Sequence, residues 1–312
     1  MIRALAVSVA VLAVLAAPSV AGADDHCPTD WRLVGTDTFQ GADALIRSQG
    51  VTTDGQGWIF SWQGGLERTL DDFTPMAIGT IPPQLAVAPG YDQASGQNTI
   101  GDNHIGDIDY YNGQIYAPVE DGGQDAGVME LNDPEYQHPH IAIYDAATLT
   151  YTGTSYALDV GIHAAGVPWV AIDRPRQEVY TAEWDMPHDR LNVFDLQMHF
   201  KRFLDLHYGS LGPGFRLSRI QGAKVYGDTM YATRDDHDKT VFSIDLRTGQ
   251  VAKLFSLNPT VSAELEGLSV RPMPNGSLLH LLIVENNDLP DDATQIHVSF
   301  KHYAPVEPGG CS

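Results

Sequence analysis

Short apolar runs of strand length, separated by turn residues, repeat along almost the whole chain and either alternate or run apolar as strands do. Each repeat begins at a glycine that opens a first run, and a second run follows. The five glycines are Gly50, Gly106, Gly166, Gly222 and Gly267. The second runs are 58–62, 115–120, 179–183, 230–234 and 281–285. This repetition predicts a chain built from five similar antiparallel sheets.

Third and fourth runs complete most of the repeats. Three of the four third runs, 140–145, 191–195 and 241–245, end in aspartate, a turn residue, and the remaining one is 296–300. The fourth runs are 76–81, 151–158, 201–206 and 251–257, so the fifth repeat lacks one. Segment 31–39 alternates like a strand and can supply it, which closes a ring without exposed edges. The pattern predicts an all-β, five-bladed β-propeller, or six blades if 129–136 or 86–99 contain a further sheet.

The two cysteines lie outside the first and last predicted strands. Cys27 precedes the strand that closes the ring, and Cys311 follows the last strand. Closure of the ring brings them near each other, so we expect a disulfide between them in a secreted chain. Two free thiols are the alternative.

The N-terminal 23 residues have the features of a secretory signal peptide. Arg3 precedes an apolar stretch over 4–17, and Ala21, Gly22 and Ala23 form a small-residue ending. The stretch is shorter than a spanning helix. We therefore expect residues 1–23 to be removed, residues 24–312 to form a single domain, and the protein to be secreted, either extracellular or periplasmic.

The composition narrows the range of partners. With 40 acidic and 18 basic residues, the formal net charge is −22. Such a charge repels nucleic-acid phosphates and anionic membrane surfaces. We expect neither partner, and we expect a monomer that binds a small molecule or a carbohydrate.

The predicted ring gathers polar residues at one end of its channel, where first strands start and second strands end. Proposed metal ligands there are Asn103, Asp107, Glu120, Glu266 and Glu285. His104, His163 and Glu183 are the candidate catalytic residues, with the two histidines as proton carriers. The candidate ligand-binding residues are Gln49, Gln221, Arg234, Trp62 and Trp184.

Three interpretations of these residues stay open. Carboxylate and amide oxygens suit calcium, the favoured cofactor, while the two histidines would suit zinc or manganese. A metal-free acid/base site is the second interpretation. The third is a set of solvated loop residues around a water-filled channel.

The glycine-led first strands, tyrosine-containing second strands and aspartate-ended third strands resemble secreted β-propellers of the gluconolactonase-like and NHL-repeat group. Relatives of the lactonase type hold a metal in the channel, which implies Glu266, Asn103 and Asp107 as candidate ligands. Gln49-Gly50 and Glu266-Gly267 are also similar to the inner strands of plant-type glutaminyl cyclotransferases.

Two functions are compatible with this sequence. The first is a metal-assisted hydrolase or lyase that acts on a small polar substrate, such as a lactone, sugar or ester, at the mouth of the channel. The second is a non-catalytic extracellular propeller that recognises a carbohydrate or a protein. Signatures of α/β hydrolases, nucleotide-binding loops and zinc-protease helices are absent from the sequence.

Overall fold

The computed structural model describes residues 30–86, 102–121, 124–125, 128–129, 137–159, 161–163, 166–184, 186–286 and 297–306. These residues form five antiparallel sheets arranged as the blades of a closed ring, together with a separate two-stranded hairpin. The fold is therefore an all-β, five-bladed propeller, as the repeats predict. None of the described helices is long and apolar enough to cross a membrane.

The first two blades follow each other along the chain, and each runs from an inner strand to an outer one. Blade 1 contains β2 (Gly50–Thr52), β3 (Gly57–Trp62), β4 (Gly65–Leu70) and β5 (Pro75–Thr80). Blade 2 contains β6 (His104–Ile105) and β7 (Asp109–Tyr111), which both pair with β8 (Gln114–Asp121), and then β11 (Gln137–Asp145) and β12 (Tyr151–Ala157). The hairpin outside the blades is β9 (Gln124–Asp125) and β10 (Val128–Met129).

The remaining three blades repeat the same order. Blade 3 contains β13 (Ala171–Asp173), β14 (Glu178–Thr181), β15 (Arg190–Asp195) and β16 (Phe200–Asp205). Blade 4 contains β17 (Ile220–Tyr226), β18 (Thr229–Arg234), β19 (Thr240–Asp245) and β20 (Val251–Ser256). Blade 5 contains β21 (Ala263–Val270), β22 (Leu279–Glu285), β23 (His297–Pro305) and β1 (Trp31–Gln40). Two single-turn helices, α1 (Ala42–Leu45) and α2 (Pro83–Ala86), lie in connections.

The N-terminal strand closes the ring, as its alternating pattern predicts. β1 pairs antiparallel with β23 from Trp31 opposite Pro305 to Gln40 opposite His297. The outermost strand of blade 5 therefore comes from the other end of the chain, which ties the two ends into one sheet. Cys27 and Cys311, the predicted signal peptide and most of the two segments considered for a sixth blade lie outside the described residues.

The core consists of apolar clusters between neighbouring blades. Phe39, Trp58, Phe60 and Phe300 pack between blades 5 and 1. A larger cluster, which includes Trp169, joins blades 3 and 4. Because each blade buries both faces in this way, its middle strands are apolar on both sides, which explains the continuous apolar runs.

The third strand of blade 1 was not predicted from the sequence, and neither was the β9–β10 hairpin. β4 has the sequence GLERTL, in which the charged Glu67 is buried. Its carboxylate accepts hydrogen bonds from Arg47 at 2.6 and 3.2 Å, and Arg47 is itself buried. This ion pair lets a strand with a polar sequence lie inside blade 1.

Candidate functional site

Four of the five repeat glycines lie where the inner strands approach one another at the ring axis. A Cβ atom at Gly50 would lie 2.5 Å from Asp107 Cα, and one at Gly267 would lie 2.6 Å from Gly50 Cα. A Cβ at Gly222 would in turn lie 2.6 Å from Gly267 Cα, and one at Gly106 would lie 2.0 Å from the Pro168 carbonyl oxygen. Only glycine fits at such approaches.

Blade 3 departs from the predicted glycine pattern. Pro168 occupies the axial position there, where its carbonyl oxygen accepts a 2.8 Å hydrogen bond from the Asp107 amide. Gly166 instead lies in a turn with a positive φ of 76°, and the inner strand begins only at Ala171. The prediction that Gly166 opens the inner strand of its blade is therefore wrong.

The axis is filled by the Asp107 side chain. Its Oδ1 atom accepts a hydrogen bond from the Val51 amide at 3.1 Å, and its Oδ2 atom accepts from the Ala223 amide at 3.1 Å and from Lys224 Nζ at 2.5 Å. Burial raises the pKa of Asp107 to about 7, although Lys224 opposes this shift. Asp107 thus connects blades 1, 2 and 4 at the ring axis.

His104 lies between blades 1 and 2. Its Nε2 atom is 3.0 Å from Gln49 Oε1, and its Nδ1 atom is 3.4 Å from Glu120 Oε1. His104 and Glu120 are paired residues of β6 and β8. The second Glu120 oxygen accepts a 2.5 Å hydrogen bond from the Val167 amide, so the buried carboxylate is held from blade 3.

Glu266 lies next to this group at the start of blade 5. It occupies an irregularity of β21 between Leu265 and Leu268, and its side chain is 3% exposed. The amide of the following residue, Gly267, donates to the Gln49 carbonyl at 2.8 Å. Burial, and then the carboxylates of Glu264, Asp235 and Asp107, hold the pKa of Glu266 well above its ordinary value.

Blade 4 supplies a second carboxyl group beside Glu266, that of Asp235. Asp235 is held by Arg219 at 2.8 Å and by Lys239 at 2.5 Å, and it also accepts from the Leu265 amide at 3.1 Å. The Arg219 guanidinium lies 5.2 Å from the centre of the Trp184 ring, a cation–π distance. We call the group Gln49, His104, Glu120, Asp235 and Glu266 the upper mouth.

Other predicted site residues flank the upper mouth or face elsewhere. The Asn103 amide donates to the Glu120 carbonyl, and Gln221 is half-buried at an irregularity of β17. Trp62 packs against the turn residue Gly64 and against Gly65, the first residue of β4. Arg234 lies 3.4 Å from Asp236 and stacks over Phe215.

The structure does not bring His163, Glu183 and Glu285 into the upper mouth. His163 is fully buried, with Nε2 2.7 Å from Thr181 Oγ1, and burial lowers its pKa to about 4. The Glu183 carbonyl accepts from His188, and its side chain lines a cavity on blade 3. Glu285 accepts a hydrogen bond from Ser299 and lies 3.6 Å from Lys301.

The predicted metal ligands do not form a coordination group in the part of the chain that the structure describes. No cluster of three or more His, Cys, Asp or Glu side chains with metal-binding geometry occurs there. Asp107 is bonded to Lys224, and Glu285 faces Lys301. These two carboxylates are paired with lysine side chains. We therefore assign no metal chemistry to them, and bound calcium stays a prediction.

Three cationic residues of this region were not predicted from the sequence: Lys224, Arg219 and Lys239. The sequence could have singled out Lys224, because it is a single lysine between Ala223 and Val225 in an inner strand. A lysine at a buried strand position requires an acidic partner. The sequence could have shown the need for a partner, but not that Asp107 supplies it.

Comparison with known proteins establishes the fold class. No protein-family model matches the sequence, and no curated protein matches it. A mutant of the GH43 protein BlXynB from Bacillus licheniformis superposes with a TM-score of 0.53 and 14% identity, over 87% of this chain and 55% of that one. This chain thus spans about half the length of that protein.

Two further solved structures are similar at lower scores. A luciferin-regenerating enzyme gives a TM-score of 0.47 with 11% identity, over 86% of this chain and 95% of that one. A nidogen/laminin complex gives 0.45 with 12% identity, over 76% and 75%. Together with the five blades, the GH43 similarity identifies this chain as a β-propeller, a class that contains both enzymes and binding proteins.

Proposed function

We propose that the protein is a hydrolase or lyase that acts on a small polar substrate, such as a sugar, lactone or ester, at the upper mouth. The observation that carries this proposal is the burial of the Glu266 carboxyl group among charged groups that are mostly other carboxylates. Such a group keeps its proton at pH values where exposed glutamates are ionised. It can therefore donate that proton to a departing oxygen, as a general acid does.

His104 is the proposed partner of Glu266 in proton transfer. When its Nδ1–H points to Glu120, Nε2 is the basic atom and can take a proton from an attacking water molecule. The carboxylate of Glu120 then stabilises the imidazolium. The Gln49 amide contacts Nε2 and can present either its oxygen or its nitrogen, so it suits both protonation states of the ring.

Hydrolysis in this scheme balances without a further reagent. Water attacks the electrophilic carbon of the substrate and loses a proton to His104, while the bond to the leaving oxygen breaks and that oxygen takes the proton of Glu266. The two protons then exchange through solvent. In a lyase reaction the same two groups would remove a proton from carbon and protonate the leaving oxygen.

The test is turnover by the mature protein on nitrophenyl glycosides, nitrophenyl esters and small lactones. Glu266→Gln should lower kcat by about 100-fold or more, since general acids contribute on this scale. The activity of the wild-type protein should fall at high pH because Glu266 ionises. The residual activity of the variant should not show this fall. Glu285→Gln is the matched control, because this glutamate of the same blade binds Ser299 and Lys301 outside the upper mouth.

Unchanged kcat and pH profile in Glu266→Gln would remove this residue from the mechanism. If the wild-type protein turns over none of the substrates but binds glycans in an array, the alternative of a binding propeller replaces the proposal. Thermal melting of each variant shows whether a lost rate reflects lost folding.

A further inference from the structure

Two adjoining cavities lie on blade 3, apart from the upper mouth. One, of about 310 Å³, lies beside the outer strands of blades 2 and 3. The other, of about 470 Å³, extends from the ends of the two middle strands towards the end of β16. Ile162 and Phe203 line both cavities, so the two adjoin, and we call them the first and the second compartment.

Most residues that line the first compartment are apolar or aromatic, and Asp159 also lines it. Phe194, Phe200 and Phe203 line it, with ring centroids 5.8 Å apart for the first two and 4.8 Å apart for the last two. Phe200 is 46% exposed although it lies in a cluster of rings. An exposed aromatic cluster at the wall of a cavity is typical of a surface that an apolar group covers.

The second compartment offers both hydrogen-bond donors and acceptors. Arg190 stacks on Phe203 with its guanidinium carbon 3.5 Å from the ring centre, which holds a donor at the boundary between the compartments. Asn192 donates to the Ile162 carbonyl at 3.2 Å, which fixes its amide at the wall. Two carboxylates also line this compartment, those of Glu183 and Asp205. Asp205 lies opposite Arg190 in the pairing of β15 with β16.

We propose that this two-compartment site binds an amphipathic molecule with an alkyl or aromatic group and a sugar or polyol head. The apolar group enters the compartment of the three phenylalanines. The head lies in the polar compartment, because each hydroxyl both donates and accepts a hydrogen bond and the wall supplies partners of both kinds. Each compartment has a volume within the range of small-molecule sites, and together they offer both apolar and polar lining residues.

The site is separate from the proposed chemistry, since none of the five upper-mouth residues lines either compartment. Binding should therefore survive in Glu266→Gln. This separation lets an experiment distinguish failure of this proposal from failure of the proposed function.

The test is calorimetric titration of the mature protein with octyl β-glucoside below its micelle concentration. Phe200→Ala should raise the Kd about tenfold, the effect expected when most of an aromatic contact is lost. Asp205→Asn should raise the Kd about threefold or more through weaker hydrogen bonds to the head. Ile78→Ala is the matched control, because Ile78 is 59% exposed on the outer strand of blade 1.

Octyltrimethylammonium and octanoate carry the same alkyl chain with a charged head. Binding of octyl β-glucoside that is tighter than that of both and sensitive to Phe200→Ala and Asp205→Asn supports the proposal. Tighter binding of either charged probe would overturn the assignment of the head group. No binding of octyl β-glucoside, or an equal effect of Ile78→Ala and Phe200→Ala, would overturn the site itself.

Discussion

The buried pair Asp107–Lys224 should control the stability of the ring, and Lys224→Met tests this. The two side chains are 0% and 4% exposed and lie 2.5 Å apart. Methionine keeps an unbranched side chain of similar length but removes the charge. The Asp107 side chain then keeps its hydrogen bonds from the Val51 and Ala223 amides but loses its cationic partner.

Removal of one partner from a buried ion pair lowers the free energy of unfolding by about 3–5 kcal/mol. For a domain of this size, that loss lowers the melting temperature by roughly 6–20 °C. The loss should depend on pH, because Asp107 can take up a proton. Burial already raises its pKa from 3.8 to about 7, and Lys224 limits this rise, so its removal raises the pKa further.

A raised pKa favours the protonated acid in the folded state. The contribution of Asp107 to stability is therefore fully present below about pH 4 and is lost as the pH rises towards 7 in the wild-type protein. In Lys224→Met the loss continues to higher pH. The variant should thus differ little from wild type at pH 5 and most strongly at pH 9.

Guanidinium unfolding and thermal melting at pH 5, 7 and 9 measure these differences. Lys253→Met is the control, because Lys253 is exposed on the outer strand of the same blade and should change stability by less than about 0.5 kcal/mol. Asp107→Asn combined with Lys224→Met should recover part of the stability at pH 9. Equal deficits at pH 5 and 9, or a double variant no more stable than Lys224→Met, would refute the reasoning.

Three further predictions concern the axis, blade 1 and the chain ends. Gly267→Ala should destabilise by about 1–3 kcal/mol in guanidinium unfolding, because its Cβ would lie 2.5 Å from Asp107 Oδ1, whereas Gly209→Ala, with open space, should be close to neutral. Glu67→Gln should lower the unfolding free energy by about 3–5 kcal/mol, because it removes the buried carboxylate that pairs with the buried Arg47, and Asp43→Asn, 3.7 Å from Arg47 and exposed, should have little effect. Non-reducing peptide mapping should recover Cys27 linked to Cys311, and separate free peptides would contradict the predicted disulfide.

The fold was predictable because local patterns determine most of it. Apolar runs, turn aspartates and an alternating N-terminal segment indicate the number of blades and the closing strand before any contact is known. The errors arise where distant residues decide. β4 has a polar sequence, and its Glu67 can be buried because it pairs with Arg47, which lies 20 residues away in sequence. In blade 3, Pro168 replaces a glycine at the axis.

For the candidate site, the sequence predicts which residues share one face of the ring. It does not predict which of them contact each other. Strand direction places Gln49, His104, Glu120 and Glu266 on one face, and the structure brings them together. The pairing of Asp107 with Lys224 joins residues 117 positions apart and depends on how the ring closes. For the same reason, the burial of His163 beside Thr181 and Asn192 could not be inferred from its neighbours in sequence.

Glu266 is difficult to explain as a structural residue. It lies in the region of the buried Asp107 and of Asp235 and Glu264, and each of these carboxylates disfavours its ionised form. A raised pKa means that the folded state loses stability from Glu266 as the pH rises above the ordinary range of glutamate. A glutamine of similar shape would avoid this loss. A scaffold does not require a carboxyl group that lowers stability at neutral pH, and this supports the proton-transfer role proposed for Glu266.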